Sequence, residues 1–117
     1  MTKATPELKA SIKLIMERHI GIKNAIHRDI LLEKLGLPKT DSADRRMRKA
    51  IESIRLDQDG LPIMHSQDGY YLPATEADRQ AGLSLMRKRA VSEYRNYKRV
   101  QRNSERFLAR EHQGSLL

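Results

Sequence analysis

Apolar residues recur every three or four positions in three short segments of the first half of the chain, and this spacing predicts three helices. The predicted helices cover residues 6–19, 27–36 and 43–56. Their start and stop signals are Thr5-Pro6 before the first helix, Gly36 after the second, and Thr40, Asp41 or Ser42 before the third. Their predicted inward residues are Leu8, Ile12, Ile15 and Met16, then Ile30, Leu31 and Leu35, then Met47, Ala50, Ile51 and Ile54.

Alternation replaces helical spacing after Asp59-Gly60, which ends the third helix. Two short apolar runs, Pro62–His65 and Tyr70–Leu72, flank the segment Ser-Gln-Asp-Gly. This pattern predicts a β-hairpin with a four-residue loop, in which Gly69 supplies a positive φ. Because side chains alternate across a strand, one of Tyr70 and Tyr71 is expected to face the core and the other to lie outside.

Helical residues resume after Pro73 and continue almost to the end of the chain. Thr75 followed by Asp78 resembles a capping box, so we predict a helix over about residues 76–112, or about 55 Å at 1.5 Å per residue. The predicted fold is therefore mainly α with a small β-hairpin and a long C-terminal helix. We divide it into a domain of residues 6–73 and a helix of residues 74–113.

Charge is the strongest signal in the composition. The chain has 23 Lys and Arg against 15 Asp and Glu, a net charge of +8. Nine of these cations lie between Ala81 and Arg110, against Glu93 and Glu105, so that this segment alone carries +7. A basic segment of this kind favours polyanionic partners through counterion release, although it also suits a merely solvated surface.

Four motifs occur in order between residue 20 and residue 73. They are Leu35-Gly36, Arg45–Lys49 with Ile51 and Ile54-Arg55, Gly60-Leu61-Pro62-Ile63, and Gly69-Tyr70-Tyr71-Leu72. With these motifs the segment resembles the winged helix-turn-helix domain of biotin-repressor-like regulators and of small phage-encoded and bacterial proteins. The turn before its Arg-rich helix, Leu37–Asp44, is longer than in that family.

The resemblance implies sequence-specific binding of double-stranded DNA by a phage or bacterial transcriptional regulator, with the third helix in the major groove. Arg45, Arg46 and Lys49 are expected on its outward surface, and Asp44 is expected to cap it. A solvated surface or protein contacts are the alternatives for these residues. The expected DNA-binding residues are Arg28, Thr40, Ser42, Arg45, Arg46, Arg48, Lys49, Arg55, His65 and Gln67.

The C-terminal helix carries heptad-like apolar spacing that is interrupted at Gln101 and Ser104. It is expected to form a homodimer, to fold back on the core, or to hold nucleic acid or an acidic protein; we favour the homodimer. The expected dimer contacts are Leu83, Met86, Ala90, Tyr94, Tyr97 and Leu108. The expected accessory cations are Arg87, Arg95, Arg99, Arg102 and Arg106.

Several classes of function are disfavoured. The chain has no cysteine, its four histidines lack ligand spacing, and no catalytic motif is present, so we expect no metal, no cofactor and no enzyme activity. Apolar runs fall far short of the roughly 18 residues of a membrane span. A cytoplasmic location, in a bacterial cell or a phage-infected host, follows as an expectation. The alternative functions are an adaptor that binds a host replication or transcription protein, and non-specific DNA coating.

Overall fold

The computed structural model describes residues 5–115, with side chains described as far as residue 112. The chain is mainly helical, with one two-stranded antiparallel hairpin and a long C-terminal helix, as the sequence predicts. It divides into two compact units, the first ending at Leu83 and the second beginning at Ser84. The elements in chain order are α1 (Pro6–Met16), a 3-10 turn (Ile22–Asn24), α2 (Arg28–Lys34), α3 (Asp41–Leu56), β1 (Met64–Ser66), β2 (Gly69–Tyr71) and α4 (Glu76–Ser115).

The three short helices begin at residues whose side chains accept a backbone N–H. Thr5 caps α1, accepting from Leu8 at 3.2 Å, and Thr40 caps α3, accepting from Ala43 at 3.2 Å. The His27 ring caps α2. The predicted caps Thr5 and Thr40 are thus confirmed, and Gly36 ends α2 at a positive φ of 70°. Helix α3 begins two residues earlier than predicted because Thr40 is the cap.

Helix α1 ends at Met16, three residues before the predicted end. The backbone beyond it pairs with the chain after the hairpin instead of continuing the helix. Gly21 donates its N–H to the Leu72 carbonyl at 2.7 Å, and Leu72 donates to the His19 carbonyl at 2.9 Å. Gly21 adopts a φ of 97°, a conformation that favours glycine.

The core of the first unit lies between α1, α2 and α3 and is closed by the hairpin. Every predicted inward residue of α3 is buried. In α2, however, Leu32 is buried and Ile30 is 49 % exposed, so the predicted inward position of Ile30 is wrong. The buried core cluster contains Leu8, Ile12, Met16, Ile26, Leu31, Leu32, Ala43, Met47, Ala50, Ile51, Ile54, Ile63, Tyr70 and Leu72.

The hairpin is confirmed, with a tighter turn than predicted. Its register pairs Met64 with Tyr71, His65 with Tyr70, and Ser66 with Gly69, so the connecting loop has two residues and not four. Gly69 has a φ of 133°, which confirms the positive φ expected there.

A residue that precedes α2 holds the hairpin against the helices. Ile26 donates its N–H to the Tyr70 carbonyl at 2.8 Å, and Tyr70 donates its own to the Ile26 carbonyl at 2.9 Å. This antiparallel bridge makes Ile26 a one-residue third strand beside β2. The start of α2 and the hairpin are therefore fixed to each other by backbone hydrogen bonds.

The prediction that one of Tyr70 and Tyr71 lies outside is wrong, because both are buried. Tyr70 belongs to the core cluster, whereas Tyr71 and its cross-strand partner Met64 do not. The first two turns of α4 cover that second pair. The Tyr71 hydroxyl donates to the Asp78 carbonyl at 2.9 Å, and a Cβ added at Gly82 would collide with the Met64 side chain.

Replacing Gly69 with alanine is expected to lower the free energy of unfolding by at least about 2 kcal/mol. A Cβ at this position would collide with the Ile26 carbonyl, which accepts the Tyr70 N–H, and φ is unfavourable for alanine. Urea unfolding followed by near-ultraviolet circular dichroism measures the change.

Gly36→Ala is the matched control. Gly36 also has a positive φ, but a Cβ there meets nothing within 4 Å. We expect it to cost about 1 kcal/mol or less, since only the backbone conformation is disfavoured. Equal losses in the two variants would show that the contact with Ile26 is unimportant.

Candidate nucleic-acid interface

Helix α3 presents a polar, cationic surface opposite its buried face. Arg45 and Lys49 are exposed there, together with Ser42. Glu52 and Leu56 lie on the same side further along, and Leu56 is 86 % exposed. The buried face of Met47, Ala50, Ile51 and Ile54 anchors the helix, so that its outward side chains are held on a rigid element. We call Ser42, Arg45 and Lys49 the outer surface of α3.

Arg46 is only partly exposed, unlike the two cations with which the sequence groups it. At 100° per residue it lies about 100° round the helix from Arg45 and about 160° from Arg48. It therefore occupies one flank of α3, with Ser53, and does not share the outermost position. The outward group is centred on Arg45 and Lys49.

The other flank of α3 carries a small ionic cluster with the start of α2. The Arg48 Nε lies 3.1 Å from Asp44 Oδ2, and the Arg28 Nε lies 3.7 Å from Asp44 Oδ1. The side chain of Asp44 is 13 % exposed, whereas those of Arg28 and Arg48 are 56 % and 58 % exposed. We call Arg28, Asp44 and Arg48 the Asp44 cluster: two surface guanidiniums around one nearly buried carboxylate.

The expected capping role of Asp44 is wrong, since Thr40 is the cap. Asp44 Oδ1 is buried and accepts no hydrogen bond from any residue that the structure describes. The carboxylate is therefore incompletely satisfied, which costs free energy in a buried group. The pair Asp44 and Arg48, four residues apart, was a signal for this arrangement in the sequence, but the approach of Arg28 from another helix was not.

A second group, from the end of α3 and from the hairpin, lies beside the Asp44 cluster. Arg55 is partly exposed, and its Nε donates to the Ile63 carbonyl at 2.6 Å, which ties the end of α3 to the chain before β1. The rings of His65 and Tyr70 lie 5.0 Å apart between centroids. Gln67 is exposed at the hairpin turn, next to Asp68.

The charged groups of this region affect the pKa of Tyr70. Burial raises the pKa of the Tyr70 phenol above the ordinary 10.0, and the nearby Asp44 carboxylate raises it further. The guanidiniums of Arg55, Arg48 and Arg28 act in the opposite direction on the same pKa. The four charges therefore lie close enough to one phenol to affect its ionisation, which brings α2, α3 and the hairpin together at one surface.

Of the predicted DNA-binding residues, the structure brings Arg28, Arg48, Arg55 and His65 around Tyr70, and leaves Ser42, Arg45 and Lys49 on the outer surface of α3. Thr40 is occupied as a helix cap. Arg46 lies on the far flank. Gln67 stands at the hairpin turn.

The second unit, residues 84–115 of α4, carries its predicted cations on exposed positions. Of the five predicted cations, Arg87 lies apart from the other four, about 100° round the helix from Lys88. Six cations of this unit, those four among them, share one side of the helix at steps of seven, four, three, four and four residues; we call them the basic surface of α4. They are Lys88, Arg95, Arg99, Arg102, Arg106 and Arg110. Among the described residues they form no ion pair within 4.0 Å.

Residues 5–115, the part of the chain that the structure describes, show neither a metal site nor a membrane span. No three His, Asp or Glu side chains in that part of the chain are grouped so that they could hold a metal ion. In the same part, no helix is long and apolar enough to cross a membrane.

The folded protein is expected to lose stability as pH rises above 10.0, the ordinary tyrosine pKa, because the folded state favours the protonated phenol of Tyr70. This contribution is complete below pH 10.0 and is lost as pH rises through the higher folded-state pKa. Asp44→Asn should lower the Tyr70 pKa, since one of its two raising causes is removed. NMR of tyrosine labelled at Cζ follows the individual phenol.

Asp41→Asn is the matched control, because Asp41 also lies in the first turn of α3 but is exposed and is not among the groups that shift Tyr70. It should leave the Tyr70 pKa unchanged. A Tyr70 pKa that responds equally to both substitutions would contradict the proximity of Asp44.

Similarity to known proteins gives no family for this chain: no family model matches it, and neither a curated protein nor a solved structure is found to be similar to it. What the site can do must therefore be inferred from its own chemistry. That chemistry is a cationic helix surface beside a cluster of guanidiniums, which suits a polyanion with regularly spaced charges.

Proposed function

We propose that the first unit is a winged helix-turn-helix domain that binds double-stranded DNA with α3 in the major groove. The element order supports this: a helix, a one-residue strand at Ile26, two helices, and a hairpin that pairs with that strand. The hairpin is the wing of the proposed fold. Its attachment at Ile26 keeps it beside the start of α2 and the flank of α3.

The observation that carries the proposal is the outer surface of α3. An α-helix fits the major groove of B-DNA, where Arg can donate two hydrogen bonds to guanine and Lys can donate to guanine as well. Arg45 and Lys49 are four residues apart, so they stand one helical turn apart on the exposed side. Ser42, one turn before Arg45, can donate to a base or a phosphate.

Phosphate contacts are assigned to Arg28 and Arg48. Both side chains are more than half exposed, Arg48 on one flank of α3 and Arg28 close to that flank, so they can meet the backbone strands that border a groove. Asp44 opposes this role, because it attracts the same guanidiniums and repels phosphate. DNA binding would therefore exchange a contact with Asp44 for one with phosphate, and Asp44 would limit the affinity for any duplex.

The basic surface of α4 provides a further, sequence-independent attraction to DNA. Each phosphate that a cation neutralises releases counterions, so affinity falls steeply with salt. The hairpin turn lacks Lys and Arg, having Gln67 and Asp68 at its tip. The wing is therefore assigned a supporting role, with at most a polar contact from Gln67.

A sequence-specific binder of this size is proposed to act as a transcriptional regulator in a bacterium or a phage. Specificity arises from the outer surface of α3, and affinity arises largely from the Asp44 cluster and α4. No enzymatic step is part of this proposal.

A second candidate, an adaptor for a host replication or transcription protein, is favoured by one observation. Leu14 on α1 is 67 % exposed and lines a groove with Ile15, Arg18 and Lys34. An apolar residue framed by cations suits a partner with an apolar side chain beside an acidic one. This groove is formed by α1 and α2 and leaves the outer surface of α3 unused.

DNA selection from random duplexes, followed by mobility shift at about 150 mM salt, tests the main proposal. A regulator should bind its selected sequence at least about a thousandfold more tightly than random duplex. Equal affinity for all sequences with a steep salt dependence would indicate coating. The absence of duplex binding, together with binding of one host protein that Leu14→Asp abolishes, would establish the adaptor.

Arg45→Ala is expected to weaken binding to the selected sequence by about 1–3 kcal/mol and to relax the preference at one base pair. The reason is the loss of a base contact from the outermost position of α3. Competition binding with single-base variants of the selected site measures both effects.

Arg46→Ala is the matched control for that substitution, since it removes the same charge from the partly covered flank. It should weaken all duplexes by a similar, smaller factor. A change in base preference with Arg46→Ala and none with Arg45→Ala would move the base contact to the other flank of α3.

Asp44→Asn should strengthen binding to random duplex, because the carboxylate that repels phosphate and holds Arg28 and Arg48 is neutralised. We expect about a threefold to tenfold gain at low salt, in the range of one charge-assisted contact. Filter binding measures it, with Asp41→Asn as the control for an exposed acidic residue. Unchanged affinity would exclude Arg28 and Arg48 from phosphate contact.

A further inference from the structure

The second unit exposes to water a mainly apolar side of α4, in which Gln101 and Ser104 are polar and Glu93 lies at one edge. Tyr94 is 61 % exposed, Tyr97 59 % and Leu108 66 %. Val100 and Phe107, seven residues apart, extend this side along one edge and are 65 % and 57 % exposed. We call these five residues, with Met86 and Ala90, the apolar stripe of α4. It runs for about 33 Å at 1.5 Å per residue.

Most cations of α4 lie away from the apolar stripe. The basic surface of α4 lies on the opposite side of the helix, so it is not buried when the stripe is covered. An occupant of the stripe must therefore be apolar along a similar length, and must leave the cations in contact with solvent. A second copy of the same helix meets both requirements, because each copy would cover the stripe of the other.

The flanks of the stripe select the orientation of that second copy. Glu93 lies on one flank and Lys98, five residues later, on the other. In a parallel pair of helices, a residue on the first flank faces the residue five positions later on the second flank of the partner helix. Glu93 of each copy then meets Lys98 of the other, and the two-fold symmetry forms this ion pair twice.

An antiparallel pair loses this complementarity. With Tyr94 placed opposite Tyr97 of the second copy, Lys98 faces Val91 and Glu93 faces Val100. Both charges are then left beside apolar side chains without a partner. The two orientations thus differ in whether Glu93 and Lys98 are paired, whereas Glu105 faces Val100 of the partner helix in the parallel pair.

The two polar residues within the stripe also fit a parallel pair. Gln101 and Ser104 interrupt the apolar spacing, and in a parallel pair each faces its own copy across the axis. An amide has both donors and an acceptor, so two Gln101 side chains can hydrogen-bond to each other. A polar residue at such a position fixes the register of a two-stranded coil, although it lowers the stability.

We propose that α4 pairs through its apolar stripe with a second copy of this chain, as a parallel two-stranded coil in register at Gln101. This pairing does not depend on DNA binding. Its consequence for DNA rests on the proposed function: both first units precede Ser84 in their chains, so a parallel coil places them at the same end. Two copies of α3 related by a two-fold axis would bind an inverted repeat.

Disulfide cross-linking tests the pairing and its orientation, and the natural chain is suited to it because it has no cysteine. Ser104→Cys in the full chain should form a covalent dimer under mild oxidation at least about tenfold faster than Ser92→Cys, since position 104 lies at the axis and a disulfide requires close Cβ atoms. Ser92→Cys is the matched control, because Ser92 lies among the cations on the opposite side of α4.

Equal rates for the two variants would overturn the proposal. An antiparallel coil would instead bring position 104 next to position 87 of the other copy. Preferential disulfide formation between a Ser104→Cys chain and an Arg87→Cys chain would therefore overturn the parallel orientation. These measurements are made without DNA, so their failure is distinguishable from a failure of the proposed DNA binding.

Charge exchange supplies the second test. Glu93→Lys and Lys98→Glu should each raise the dimer dissociation constant about tenfold, because two attractive pairs become two repulsive ones. The double variant should return to within about twofold of the natural chain. Equilibrium sedimentation of the full chain measures the constants, with far-ultraviolet circular dichroism to verify helix content. Single and double variants with the same constant, or a natural chain that remains monomeric, would overturn the proposal.

Discussion

The pair of backbone hydrogen bonds between Ile26 and Tyr70 is the constraint on which the arrangement of the first unit depends. It fixes the hairpin to the start of α2, and Tyr70 at the same position fills the core beneath α3. Gly69 permits the approach, since any side chain there would meet the Ile26 carbonyl. The bridge fixes α2 to the hairpin, and the burial of Tyr70 fixes the hairpin to α3, so the cations of α2 and α3 converge beside the hairpin.

The surface formed by α2 and α3 combines cations with a carboxylate that attracts them, and this pairing matters more for binding than the net charge of the chain. Asp44 is nearly covered and incompletely hydrogen-bonded, yet it holds two guanidiniums that remain largely in water. A buried carboxylate of this kind costs stability unless its partners stay close. The proposed interface is thus restrained in the absence of a ligand, and this restraint favours discrimination between duplexes over tight binding to all of them.

Much of the fold could be predicted from signals within short stretches of the sequence. The caps Thr5 and Thr40, the glycines at positions 36 and 69, and the apolar spacing of α3 each follow from chemistry within a few residues of sequence. Contacts between distant segments did not follow. Ile30 and Leu32 are both apolar, and only packing decides which of them is buried. Strand alternation predicts that one of Tyr70 and Tyr71 is exposed, but α4 covers Tyr71. Asp44 is expected to be a cap, but it lies beside Arg28 of α2. For the candidate site, the sequence supplied the cations of α3 but not their division between an outermost pair and two flanks.

Because α4 covers Tyr71 and Met64, truncated or fused forms of this protein need the start of α4. The Tyr71 hydroxyl donates a hydrogen bond to the Asp78 carbonyl, and Gly82 packs against the Met64 side chain. A fragment that stops at Pro73 would uncover an apolar strand face next to a free sheet edge, a combination that promotes aggregation. Any fusion or shortened form that is meant to stay soluble should therefore keep the chain through Leu83.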